Sequence, residues 1–395
     1  MGGDVSGAGP AGSTPVGART LAPTRSGAGQ STAFGSRIRA VHQILPSLHV
    51  ADASGTHTLR AREALRRAGY VSEIFVEHVD PPLASQAHHI DQLDAHGGPG
   101  TALLYQLSVG SAVVDRLLAR SEPLLVDYHN LTPAGFFWEW APDWLDAVAL
   151  GWRQLHRLAP RALHAMADSA FNEADLVSAG YRSTSVVPPL VDVGVAGAAG
   201  SWPRRRWQGH GARWLFVGKL LPHKGAHRLV QAFAAYREAY DPEAHLVLVG
   251  GAPIVAYRDA VVAYADDLGV GRSVSLTGAV SDEALARRYA TADVLVCLSA
   301  HEGFCFPLVE AMAHGLPVVA ARAGAVGDTL DGAGILLRSP RPSQVAAAVH
   351  RVLTDADLRG RLAARGRARL ADFAAERSAS RFVAEVGRAL AGGAR

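Results

Sequence analysis

A chain of 395 residues with 49% hydrophobic and 19% charged side chains is long enough for two hydrophobic cores and too apolar to remain disordered. A formal charge of +3, with arginines spread over helical segments instead of gathered in a patch, excludes nucleic acid as the expected partner. Two cysteines, Cys297 and Cys305, support neither a disulfide framework nor a zinc ligand set, and no apolar run is long enough to cross a bilayer, so the expected compartment is the cytoplasm.

Residues 1–36 are dominated by Gly, Ala, Ser, Thr and Pro and read as a disordered leader. From Ile38 onward short apolar strands alternate with amphipathic helices, the pattern of a parallel sheet with helical crossovers. Strands are expected at 38–45, 72–76, 102–106, 124–128, 165–167 and 185–187, and helices at 59–68 and 143–158, giving a Rossmann-like domain over 37–195. Several of its strand ends carry candidate site residues. Residues 51–57, with Asp52 and Gly55, open a helix after the first strand. Tyr105, Ser108, Gly110 and Ser111 follow another strand and fit an acceptor-side loop, while Asp127, His129 and Asn130 end a third. Ser169 reads as a helix cap. The cluster His88, His89, Asp91, Asp94 and His96 lies in a polar, glycine-followed segment and is read as a loop, not as a metal set. Phe136, Phe137, Trp138 and Trp140 either shape an apolar acceptor site or pack between domains.

A Gly/Ala-rich and then basic stretch, 196–212, reads as a linker. Beyond it the alternation restarts, with strands expected at 214–217, 245–249, 273–276, 294–298, 317–320 and 334–337 in a second Rossmann-like domain over 213–375. A last helix over 376–395 folds back on the first domain.

Among 39 basic residues only Lys219 and Lys224 are lysine, and both lie between Gly218 and Gly225 on a strand-to-helix loop. An ammonium is a compact point charge, so lysine kept against an arginine background fits a phosphate site beside flexible backbone and a helix start. Solvated surface lysines are the alternative. Further on, Glu302 and Glu310 stand eight residues apart, the first in a loop and the second inside a helix that Pro307 opens. Such a loop and helix N-terminus offer carboxylates to sugar hydroxyls and backbone donors to a diphosphate.

These residues resemble the retaining glycosyltransferases of the GT-B fold, specifically the large family 4 with its E-x7-E motif. The likeness covers about residues 38–390 and is carried by Gly218-Lys219 with Lys224-Gly225, by the 275–278 strand end followed by Ser281-Asp282-Glu283, and by Glu302 to Glu310. It implies an α/β architecture of two Rossmann-like doubly wound domains facing a central cleft. Lys219 and Lys224 would contact the donor diphosphate, Glu302 the sugar hydroxyls and Glu310 the ribose. Gly303, Phe304 and Cys305 would line the sugar and phosphate pocket, the loop after Gly278 would meet the base, and His129 would sit near the transferring sugar. Gly55, Asn130 and Ser108 fall on the acceptor side. The family usually has arginine at the position of Lys219 and glycine at that of Cys305.

The expected reaction moves a hexose-type sugar from a nucleoside-diphosphate sugar to a hydroxyl acceptor (a glycan, a lipid-linked glycan or a small-molecule natural product), with retention of configuration. No carboxylate pair typical of a metal-dependent diphosphate site stands out, so no metal and no other cofactor is expected, the two lysines and the helix end taking that part. A lipid acceptor would bring peripheral membrane contact, without an integral segment. Two rivals use the same architecture: a nucleotide-sugar 2-epimerase, which would form free epimer without acceptor, and a non-catalytic nucleotide-sugar-binding subunit.

Overall fold

A computed structural model of the chain describes residues 38–50, 52–190 and 210–392. The expected leader at 1–36 lies outside the described residues, as does the expected linker except for its last three residues. Those three are tied down, Gly211 and Ala212 donating their N–H groups to the Asp241 carboxylate.

The first half forms one sheet from β1 (Ala40–Leu48), β2 (Ile74–Val79), β3 (His88–His89), β4 (Thr101–Leu107), β5 (Leu124–Tyr128), β6 (Ala162–Ala167) and β7 (Thr184–Val186). Their order is β3-β2-β1-β4-β5-β6-β7, every neighbour parallel. The second half repeats the design with β8 (Arg213–Val217), β9 (His245–Val249), β10 (Val274–Gly278), β11 (Val294–Cys297), β12 (Val318–Ala321) and β13 (Ile335–Leu337). Here the order is β10-β9-β8-β11-β12-β13, again all parallel. Buried on both faces by helices, these strands can be continuously apolar, which is why they were visible as short Val/Leu runs.

Twelve of the thirteen strands fall where the alternation predicts them. The exception is β3, inside the segment read as loop. It is only two residues long and follows from pairing, His88 opposite Phe75 and His89 opposite Val76. A two-residue strand has no period to detect. The polar groups around it are engaged locally, since Asp91 and Asp94 hold Arg116 at 2.8 and 2.9 Å. Tyr105 also departs from the acceptor-loop reading. It faces the core of the first sheet and is fully buried.

Reversal of strand order occurs between β1 and β4 in one sheet and between β8 and β11 in the other, and such switch points open a crevice at the carboxyl ends of the strands. The two crevices face each other. Lys219, after β8, reaches Asp52, after β1, at 2.9 Å, and His301, after β11, reaches Asn130, after β5, at 3.0 Å. An arm at 134–148 extends from the first domain into the second. Phe137 and Ala141 are buried in the second domain's core with Phe136, Trp140, Leu145 and Val148 packed against it, while Trp138 stays exposed. Burial of this aromatic surface contributes hydrophobic attraction between the domains.

The Ala375–Gly392 helix crosses the other way. Phe382, Val386 and Leu390 pack against Val41, Leu65, Leu104 and Met166 of the first domain, and Arg381 donates to the Val186 carbonyl.

Candidate active site

Four switch-point loops build the site. In the second domain, β8 ends at Val217 and the chain turns through Gly218 and Lys219 to a single helical turn, Pro222–Lys224. Gly225 ends that turn with φ +71°, and a Cβ there would lie 2.5 Å from the Leu298 carbonyl oxygen. Only glycine lets the lysine loop lie against β11 in this conformation. The close approach sets Lys224 beside the loop that follows β11, where its Nζ lies 2.9 and 2.8 Å from the two Glu302 carboxylate oxygens.

Glu302 is about 5% exposed. Its main chain is fixed by the Ala325 N–H, which donates to the Glu302 carbonyl at 2.9 Å. For Lys224, burial pulls the ammonium pKa down, but the Glu302 carboxylate outweighs it and holds the value above the ordinary one. The neighbouring His223 is driven the opposite way. Burial among Phe136 and Phe137, with Lys224 and His301 nearby, lowers it to about 2, so it is a neutral packing group.

The Phe306–Ala313 helix starts at Cys305, whose φ of +73° marks a position where a side chain is strained and glycine would be at ease. Its thiol lies 3.8 Å from that of Cys297, so the only two cysteines of the chain meet under this helix end. Pro307 occupies the first turn, as its missing N–H permits. Phe304 turns its ring away toward Phe306 and Phe373, leaving backbone on the crevice side. Glu310 is half-buried and accepts a hydrogen bond from the Tyr289 hydroxyl. Burial raises its carboxyl above the usual range, the Tyr289 bond opposing. Gly278 ends β10 with φ +69°, exposed at the rim, and Gly218 lies under Gly250 where the β8 and β9 loops cross.

The first domain meets these groups from across the crevice. Asp52 caps the Ala53–Arg67 helix by accepting from the Gly55 N–H at 3.2 Å and also takes Lys219. Asn130, with φ +77°, presents its amide oxygen Oδ1 as acceptor to His301 Nε2. Gly303 has no room for a side chain, since a Cβ would lie 2.5 Å from Asn130 Cβ and 2.9 Å from Asn172 Nδ2. Ser108 is half-buried in the bend after β4. Gly110 and Ser111 of the same loop are committed to structure: a Cβ on Gly110 would meet the Ala147 carbonyl at 2.5 Å, and Ser111 bonds Glu77 and Gln154.

His129 lies at the crevice floor, 3.0 Å from Asp168 through Nδ1 and against the Gln106 Oε1 atom through Nε2. Behind it, Asp127 bonds His57 at 2.9 Å, and Gln106 bonds Gln43 at 2.9 Å. Burial, offset by Asp168 and Asp127, leaves His129 raised to about 9. Gln43 and Gln106 were not among the candidate site residues, and His57 closed the 51–57 segment without a role of its own. The signal was a polar residue inside an apolar strand: Gln43 within β1, Gln106 next to the end of β4 and Asp127 next to the end of β5. Among the described residues, two groups of three ligand-type atoms lie within 4.8 Å of one another, His57–Asp127–His129 and Cys297–Glu302–Cys305, and in both the atoms already bond each other or an adjacent side chain.

Two doubly wound domains with their switch points face to face define the GT-B fold of glycosyltransferases. Solved structures agree: a sucrose-phosphate synthase from Thermosynechococcus elongatus superposes with TM-score 0.70 at 21% identity over 90% of this chain and 100% of that one. The Anabaena protein Alr3699/HepE, crystallised with UDP and glucose, superposes with TM-score 0.65 at 19% identity over 89% and 100%. Residues 205–369 match the family described as glycosyl transferases group 1. A curated relative, the D-inositol 3-phosphate glycosyltransferase of Geodermatophilus obscurus, is 33% identical over 252 residues, 60% of this chain. That match spans 54%, about half, of the relative's own length. No helix among the described residues is long and apolar enough to cross a membrane.

Proposed function

We propose that the protein is a retaining glycosyltransferase that moves a hexose-type sugar from a nucleoside-diphosphate sugar to a hydroxyl acceptor, without a metal ion. The observation that carries this reading is the Lys224–Glu302 pair at the crevice floor, beside the start of the Phe306–Ala313 helix. Breaking the bond between sugar and diphosphate builds negative charge on the leaving oxygen. A preorganised ammonium and free helix N–H groups stabilise that charge where water is excluded.

In this reading Lys224 and Lys219 hold the diphosphate. Each now bonds a carboxylate, Glu302 and Asp52, so an incoming diphosphate exchanges one anionic partner for another instead of meeting a bare cation. Glu302 keeps its oxygens for sugar hydroxyls, and Glu310 for those of the ribose. Backbone at Gly303, Phe304 and Cys305 borders the sugar, Gly218 the phosphates and Gly278 the base. Gly55, Asn130 and Ser108 face the acceptor. The acceptor attacks the face the diphosphate leaves, and a departing phosphate oxygen takes its proton. A glycosyltransferase relative and the UDP- and glucose-bound neighbour support a nucleotide-sugar donor.

Thermal shift of the full chain with uridine- and guanosine-diphosphate sugars, with and without a chelator, tests donor and metal together, since a ligand that binds the folded state raises its melting temperature. One donor class should stabilise the protein equally in both conditions, and the product's anomeric configuration should match the donor's. Binding that disappears with chelator, or a product of inverted configuration, overturns the corresponding part of the reading. Free epimer formed without acceptor would replace it with epimerisation.

A further inference from the structure

We infer that Gln106, oriented by Gln43, is a positioning residue that together with Asp168 locks His129 as a doubly protonated imidazolium. The inference deepens the transferase reading and rests on it only for its catalytic consequence. Its basis is the polarity of a chain of hydrogen bonds that begins at a group with no choice of role.

The Thr58 carbonyl can only accept, so the Gln43 group 3.0 Å from it is the Nε2 donor. Gln43 must then present Oε1 to its other neighbour, and the group 2.9 Å away is the Gln106 Nε2 donor. The same amide nitrogen also faces the Asp127 carboxylate, which again requires a donor. Gln106 therefore turns Oε1 toward His129, and Nε2 of the ring must carry a proton. On the other side Nδ1 faces both oxygens of Asp168, at 3.0 and 3.2 Å, acceptors that call for a second proton. Both ring nitrogens thus meet acceptors.

The adjacent histidine has a different assignment. The Leu190 N–H donates to His57 Nδ1 at 3.0 Å, so His57 keeps its single proton on Nε2 for Asp127. The two ring centroids are 4.9 Å apart, and two like charges at that separation would repel. The network places the charge on one ring only. Every element packed on His129 contributes: Gln106 from β4, Asp127 from β5, Asp168 after β6, His57 from the Ala53–Arg67 helix, and Asp52, itself bound to Lys219, from its cap. The His129 side chain is 5% exposed, so the surrounding carboxylates act with little screening. Holding both protons, His129 cannot take the acceptor's proton. It is a fixed cation under the crevice, not a base.

The test is histidine-labelled nuclear magnetic resonance of the full chain, His129 being assigned by the signal that His129→Gln removes. In the wild type both ring nitrogens should report as protonated at pH 7.5, with a midpoint well above the ordinary 6.5. Gln106→Leu removes the acceptor at Nε2 and should lower that midpoint by about 1–2 pH units. Gln43→Leu frees Gln106 to turn over and should move it the same way. The alkaline limb of kcat against pH should shift in step in the Gln106 variant. A neutral ring in wild type at pH 7.5 overturns the inference whether or not either variant folds, and so does an unmoved midpoint in folded Gln106→Leu. An imidazolium in a protein that binds no sugar nucleotide would instead overturn the functional reading alone.

Discussion

Replacing Lys224 by methionine keeps a long apolar stem and removes the ammonium that lies 2.8 and 2.9 Å from Glu302. The Glu302 side chain is 6% exposed and that of Lys224 24%, so the variant strands a desolvated carboxylate with no counter-charge. Breaking a buried pair from one side costs about 3–5 kcal/mol, and the partial exposure of the lysine lets water reach the vacated position, placing the cost near 3 kcal/mol. In a domain of this size about 2–4 °C of melting temperature goes with each kcal/mol, so calorimetry should show the second domain melting about 6–12 °C earlier. Adding Glu302→Gln removes the stranded charge, and the double variant should recover most of the lost stability. Turnover should behave differently. Loss of one preorganised donor costs on the order of 10²–10³ in kcat, and the double variant should not regain it. If Lys224→Met melts with the wild type, or if the double variant recovers turnover along with stability, the pair is not what holds this loop or serves this chemistry.

Burial raises the Glu310 carboxyl, so the folded protein holds that proton more tightly than the unfolded chain, and stability falls as pH rises from the ordinary value of 4.5 through the raised one. Glu310→Gln should therefore melt higher than wild type above that window, show no gain below pH 4.5, and bind donor more weakly, as melting curves against pH and titration calorimetry would register. Gly303→Ala drives a Cβ to 2.5 Å from Asn130 and should cost about 1–3 kcal/mol of the contact between domains, seen as a larger radius of gyration in small-angle scattering. Phe382→Ala empties a fully buried site where the last helix meets the first sheet. It should destabilise the first domain by about 3–5 kcal/mol and leave the second transition in place.

The parallel strands were readable because burial on both faces removes the need for alternation, and a run such as Leu124–Tyr128 or His245–Val249 stands out between polar turns. Sites carried by one loop were equally readable: the lysine loop and the Glu302–Glu310 spacing are local chemistry. Features that depend on who lies opposite were not. The strand His88–His89 exists only because Phe75 and Val76 are beside it. Gly110 passed for an acceptor loop because nothing local reveals that helix Leu145–Leu158 presses on it. Likewise Phe137 and Trp140 fitted either an acceptor site or packing between domains until the second domain's core was there to receive them. The Gln43–Gln106 relay is the clearest case, since each glutamine alone looks like an interruption and only the ladder of β1, β4 and β5 makes them a circuit.

The backbone passes from β7 to β8 and later returns through the Ala375–Gly392 helix to lie on the first sheet. Phe382, Val386 and Leu390 fill the first lobe's core although they follow the second lobe in the chain, so the end of the sequence is shared property of both. Removing the chain beyond Phe373 would therefore strip apolar cover from the sheet that was built first.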